Sequence, residues 1–94
     1  MGLLNESGIE QELNKLHIEW GVIAGTTLTR VFKFKDFKHA LIFTNKVGEL
    51  AEELHHHPLI ILEWGKVEVQ ISTHDEGGVT DKDFLLAGKI DKIK

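Results

Sequence analysis

No cysteine occurs in the 94 residues, so the chain can form no disulfide framework and offers no thiolate as nucleophile or zinc ligand. Any metal would have to sit on histidine and carboxylate ligands. Long apolar runs are missing too: no segment approaches the roughly 20 apolar residues that a membrane-spanning helix needs. The stretch from Met1 to Glu12 has neither the basic n-region nor the apolar h-region of a secretory signal. The expectation is a cytoplasmic protein with no membrane partner. Basic residues are in the minority, 11 Lys and Arg against 15 Asp and Glu for a net charge of -4. That balance argues against direct nucleic-acid binding as the main role.

What is present is the composition of a soluble globular protein, 41% hydrophobic and 28% charged, rather than of a disordered or fibrous one. The length suits a single domain spanning 1–94 and is too short for two independent cores. No internal repeat, low-complexity segment or linker interrupts it.

Hydrophobic periodicity predicts the elements. From about Ser7, Ile9, Leu13 and Leu16 recur at near-helical spacing, with Glu10 and Glu12 early in the helix where its dipole favours them. Ile18, Trp20 and Val22 then alternate, Gly25-Thr26 predicts a turn, and Leu28, Arg30, Phe32 and Phe34 alternate again, which makes a β-hairpin. Asp36 is a suitable N-cap for a long helix striped by Phe37, Ala40, Leu41, Thr44, Val47, Gly48, Ala51 and Leu54. That helix must end near His57, because the residue before the single proline, Pro58, is pushed out of helical dihedrals.

Leu59 to Trp64 and Val67 to Thr73, separated by Gly65-Lys66, predict a second hairpin. His74 falls in the polar phase of its second strand, with Glu68, Gln70 and Ser72. Asp75 to Gly78 is a turn, Thr80 is an N-cap with Asp83 three residues on, and Leu86, Ile90 and Ile93 stripe a final helix. The order α-β-β-α-β-β-α predicts an α+β fold, a four-stranded antiparallel sheet with helices on one face.

Four histidines stand out: the run His55-His56-His57 before Pro58, and His74. Imidazoles exchange protons most readily near neutral pH, so the group points to proton chemistry or to metal binding. Within a helix, three consecutive side chains cannot all face one ligand. Two could converge where Pro58 unwinds the chain. A bland reading competes for each residue. Histidines at a helix end interact with free carbonyls and solvent, His74 suits a solvated strand end, Asp83 completes a capping box, and Glu52 suits an exposed helix face. A metal site would take two tandem histidines, His74 and a carboxylate, but the spacing matches no zinc pattern of known mechanism.

The spacing Glu52-x-x-x-His56-His57-Pro58, then Trp64 after five residues, His74 after nine more and Asp83 after eight more, resembles the signature of the pterin-4a-carbinolamine dehydratases. The similarity extends through Leu28-x-Arg30-x-Phe32-x-Phe34-x-Asp36-Phe37 and Thr73-His74-Asp75-x-Gly77-Gly78-Val79-Thr80-x-x-Asp83, from Trp20 to Ile90. Three positions depart from it. His55 stands where relatives more often carry a short polar residue, Trp64 replaces a common tyrosine, and Lys82 replaces a common arginine.

The resemblance implies a hydro-lyase, a 4a-hydroxytetrahydrobiopterin dehydratase. Such an enzyme converts 4a-hydroxytetrahydropterin to quinonoid dihydropterin and water, with no metal and no organic cofactor. This step belongs to recycling of the tetrahydropterin that aromatic amino acid hydroxylases use. In this site His56 and His74 would be the acid and base, His57 would hold the pterin ring, and Glu52 and Asp83 would orient or charge-tune the imidazoles. Pro58 and Trp64 would complete the substrate pocket. The resemblance also implies a homodimer or homotetramer, which an exposed sheet edge and a small core would favour. Two alternatives stay open: a non-catalytic pterin-binding or dimerisation (coactivator) module, and a relative acting in molybdopterin metabolism.

Overall fold

A computed structural model describes residues 3–93. Met1 and Gly2, part of the amino-terminal stretch read above, and Lys94 lie outside the described residues. Helix α1 (Glu6–Leu13) starts one residue earlier than expected, because Asn5 is its N-cap and accepts from the Gly8 amide at 2.8 Å. Leu16 lies beyond the helix but still packs against the core.

The first hairpin pairs β1 (Gly21–Ile23) with β2 (Thr27–Lys33). Strand β1 is shorter than the Ile18-Trp20-Val22 alternation suggests, and Ile18 is exposed. The turn falls one residue early, on Ala24 and Gly25, both with positive φ and closed by the Thr26 amide donating to Ile23 O. Two positive φ values in succession are the signature of the tight hairpin turns that match strand twist.

Helix α2 (Phe37–Leu54) begins at the Asp36 cap, which accepts from the His39 amide. It buries Ala40, Phe43, Val47 and Ala51, with Leu50 and Leu54 partly buried beside them. Phe37 and Leu41, expected on the buried stripe, are exposed. Two apolar ridges share Ala40, Val47 and Ala51, and aromatic packing selects between them. The Phe43 ring centroid lies 4.6 Å from that of Phe32 and 5.1 Å from that of Phe34, and each such contact adds about 0.5–1.5 kcal/mol beyond area burial.

The second hairpin joins β3 (Leu59–Glu63) to β4 (Lys66–Ile71). Gly65 is needed at its tip, since a Cβ there would stand 2.9 Å from Phe34 O. All pairs are antiparallel and the sheet order is β1-β2-β4-β3, so β3 is an edge strand. Helix α3 (Asp81–Asp91) closes the order α-β-β-α-β-β-α that the sequence predicts. Leu28, Val67, Val69 and Ile71 line one sheet face and are fully buried against Phe84, Leu86, Ala87 and Ile90 of α3 and the inner ridge of α2.

One polar tie crosses this core. Arg30 lies in the inward phase of β2, and its Nη1 donates to Asp91 Oδ1 at 2.7 Å, an oxygen that also accepts from the Trp20 indole at 2.7 Å. The guanidinium sits 4.3 Å over the Phe32 ring. A charge this far from solvent needs such partners.

Candidate active site

The histidine run leaves α2 by a reversal that His55 makes. Its φ of 53 and ψ of 40 are left-handed, its amide donates to Glu52 O at 3.3 Å, and the next amide, His56 N, donates to Ala51 O at 3.0 Å. This pair of bonds is the Schellman ending, usually built on glycine. The helix therefore stops at Leu54, earlier than the limit set by Pro58, and the left-handed residue turns the chain. His56 and His57 follow in the connection to β3.

Two imidazole–carboxylate pairs result, on different elements. His56 reaches back to α3, with Nε2 2.6 Å from Asp83 Oδ1. Asp83 has no exposed surface and the His56 side chain is 12% exposed. The other carboxylate oxygen, Oδ2, accepts from the Thr80 amide at 2.7 Å and the Thr73 hydroxyl at 2.9 Å. Asp83 thus completes the predicted capping box and holds an imidazole with its second oxygen. His57 turns instead to Glu52 on α2, with Nε2 2.5 Å from Oε2. This pair is exposed, and the hydrogen bond from His57 holds the Glu52 carboxyl below its ordinary pKa of 4.5. Glu52, His57, Pro58, Asn45, Gly48 and Ile60 line one open cleft between α2 and β3.

His74 is not in a strand. Strand β4 ends at Ile71, and His74 opens a single 3-10 turn, His74–Glu76, closed by Gly77 at a φ of 78. Paired amides and carbonyls between Thr73 and Gly78 pin the base of this turn, and Thr73 O also accepts the Glu76 and Gly77 amides. Exposed His74 is therefore next in the chain to the hydroxyl that touches Asp83.

Of the residues singled out from sequence, the structure ties His56 to Asp83 with His74 one residue from their network, and pairs His57 with Glu52 beside Pro58. It does not bring Trp64 to them. That side chain is 69% exposed at the tip of the β3–β4 hairpin, at the far end of β3 from Pro58, on the order of 20 Å away at strand rise per residue. Among the described residues no three His, Asp or Glu side chains gather as metal ligands, and no helix is long and apolar enough to cross a membrane.

Sequence reasoning missed Thr73. The signal was available: it continues the inward alternation Val67, Val69, Ile71, and a polar side chain in that phase must find a buried partner. The hydroxyls of Thr73 and Thr80 lie 2.8 Å apart and both residues are buried.

The family model described as pterin 4 alpha carbinolamine dehydratase matches residues 2–93. A relative from Alkaliphilus metalliredigens, assigned as a pterin-4-alpha-carbinolamine dehydratase, is 46% identical over 89 residues, 95% of this chain and 80% of its own length. One of the same assignment from Sulfurisphaera tokodaii is 44% identical over 93 residues, 99% of this chain and 98% of its own. Among solved structures, a transcriptional coactivator/pterin dehydratase from Brucella melitensis superposes with a TM-score of 0.86 at 39% identity, covering 93% of each chain. A pterin dehydratase-like protein that is a RuBisCO assembly factor in the alpha-carboxysome shares the fold, with a TM-score of 0.67 at 19% identity over 80% of this chain and 88% of its own. Both hairpins, the paired histidines before Pro58 and the Thr80–Asp83 box thus sit in a chain that belongs to the pterin-4a-carbinolamine dehydratase family, a family of hydro-lyases.

Proposed function

We propose that this protein dehydrates a 4a-hydroxytetrahydropterin to the quinonoid dihydropterin by acid–base catalysis on its histidines. The reaction breaks the bond from C4a to the hydroxyl oxygen, which must gain a proton to leave as water. It also removes the proton on the neighbouring ring nitrogen, whose electrons form the new double bond to C4a. Two imidazoles of complementary protonation state are suited to that exchange near neutral pH. The observation that carries the reading is the His56–Asp83 pair, an almost buried imidazole whose ring is held by a fully buried carboxylate.

His56 and His74 are the proton-transfer groups in this reading, and the exposed His57–Glu52 pair in its cleft holds the pterin ring. Pro58 shapes the cleft. Trp64 has no part in it within one chain. A role in recycling the tetrahydropterin of an aromatic amino acid hydroxylase, in a homo-oligomer, follows from the family resemblance and is part of the proposal, as is the cytoplasmic location expected from the sequence.

The test is turnover of 4a-hydroxytetrahydropterin by purified protein. His56→Ala and His74→Ala should each lower the rate on the order of 10²-fold, and full activity in both would sink the assignment. A second reading draws on the fold shared with a RuBisCO assembly factor: a module that binds a partner without catalysis. It predicts no turnover and partner binding that survives both substitutions.

A further inference from the structure

The hydrogen bonds around Asp83 admit one direction throughout. Asp83 as a carboxylate can only accept, so the Thr73 hydroxyl donates to Oδ2 at 2.9 Å. Having spent its single proton there, Thr73 Oγ1 must accept from the Thr80 hydroxyl at 2.8 Å. Thr80 Oγ1 in turn accepts the Lys82 amide at 3.3 Å. With Oδ2 taken by Thr73 and by the Thr80 amide, Oδ1 faces His56 Nε2 at 2.6 Å. A bond to this acceptor-only oxygen requires the proton on Nε2.

We infer that Asp83, held in place by Thr73 as a positioning residue, keeps His56 in the Nε2–H tautomer and leaves Nδ1 as the working, proton-accepting nitrogen. This rests on the dehydratase reading and deepens it by separating the two roles. His56 Nδ1 takes the proton from the pterin ring nitrogen, and the nitrogen's electrons form the double bond to C4a. The C4a–O electron pair leaves with the hydroxyl, which takes its proton from the imidazolium of His74 and departs as water. The imidazolium formed at His56 keeps its Nε2–H on Asp83, whose charge it now faces directly. Solvent returns the protons between turnovers.

Thr73 suits this role because it is anchored twice. Its backbone forms the bridge to Gly78 that carries the His74 turn, and its side chain bonds the carboxylate that holds His56. One residue is thereby joined both to the carboxylate that holds His56 and to the turn that carries His74.

The test reads the tautomer directly, by nitrogen-15 and proton NMR of the His56 ring in the full-length protein at neutral pH. The expected spectrum shows a protonated Nε2 and an unprotonated Nδ1. Thr73→Val, which keeps the shape and removes the hydroxyl, should broaden or mix that signature. It should also lower kcat roughly tenfold or more while KM stays within about twofold, the size expected when a hydrogen bond to a charged group is lost from a reacting pair. Thr73→Ser should restore both. A wild-type ring protonated at Nδ1 overturns the inference, as does Thr73→Val with an unchanged signature and kcat. Should Thr73→Val fail to fold, Thr73→Ala is read by the same spectrum and kinetics, and the wild-type spectrum still tests the tautomer. If the wild-type protein shows the expected tautomer but no turnover, the dehydratase reading fails and the tautomer assignment stands.

Discussion

His56 Nε2 lies 2.6 Å from Asp83 Oδ1 although the two residues are 27 positions apart. The same Asp83 caps α3 through its other oxygen, at 2.7 Å from the Thr80 amide. One buried carboxylate therefore couples the stability of a helix end to the orientation of an imidazole.

Substituting it should separate those two effects. Asp83→Asn, nearly isosteric, is expected to lower turnover on the order of 10²-fold while the protein still folds. Asp83→Ala leaves the Thr80 amide and Thr73 hydroxyl without an acceptor and should destabilise by about 3 kcal/mol or more. Steady-state kinetics and urea denaturation measure the two.

His55 occupies left-handed backbone with φ 53 and ψ 40, a conformation that costs an L-residue roughly 1–2 kcal/mol and costs glycine or asparagine less. His55→Asn or His55→Gly should raise stability by up to about 1 kcal/mol, a melting-temperature increase of roughly 4–8 °C for a domain of this size. Turnover should remain at the wild-type level, because the imidazole of His55 has no part in the proposed chemistry. His55→Val should lower stability.

Asp91 accepts from both Arg30 and Trp20 at 2.7 Å, and the Arg30 and Asp91 side chains are only 14% and 17% exposed. Removing one partner strands the other. Asp91→Ala is expected to destabilise by about 3 kcal/mol, read as a shift in the denaturation midpoint. A cost below about 1 kcal/mol would show that solvent reaches Arg30 readily.

Glu52 and Asp36 both titrate below their ordinary values of 4.5 and 3.8, Glu52 through the hydrogen bond from His57 and Asp36 through the His39 amide and then its ring. A carboxyl depressed in the folded state adds stability above its unfolded pKa, and that stability disappears as pH falls through the folded value. Denaturation midpoints should therefore be level above about pH 5 and decline below about pH 4. Glu52→Gln should flatten part of that decline and raise KM more than it lowers kcat, since the His57–Glu52 pair is proposed to hold the ring. Carboxyl NMR titration placing Glu52 at or above 4.5 would contradict the pairing.

The sequence by itself determined the element order and three of the devices that bound it. Alternation marked the β2 and β4 segments, an apolar run marked β3, and Asp36, Thr80 and Asp83 were readable as caps because a cap's partner lies within three residues. The histidines before Pro58 marked the candidate site through their resemblance to a family signature. Tertiary packing decided the rest. Which ridge of α2 is buried depended on Phe43 meeting Phe32 and Phe34, a choice that a stripe with two equivalent ridges leaves open. The reversal after α2 fell to His55 rather than to Pro58, because two backbone hydrogen bonds to Ala51 and Glu52 fix it in left-handed backbone. His56 parted from His57, and Thr73 joined the network, only because α3 lies where Asp83 can reach all of them. Contacts across 10 and 27 positions are set by the packing of α3 against the sheet, and no local pattern encodes them.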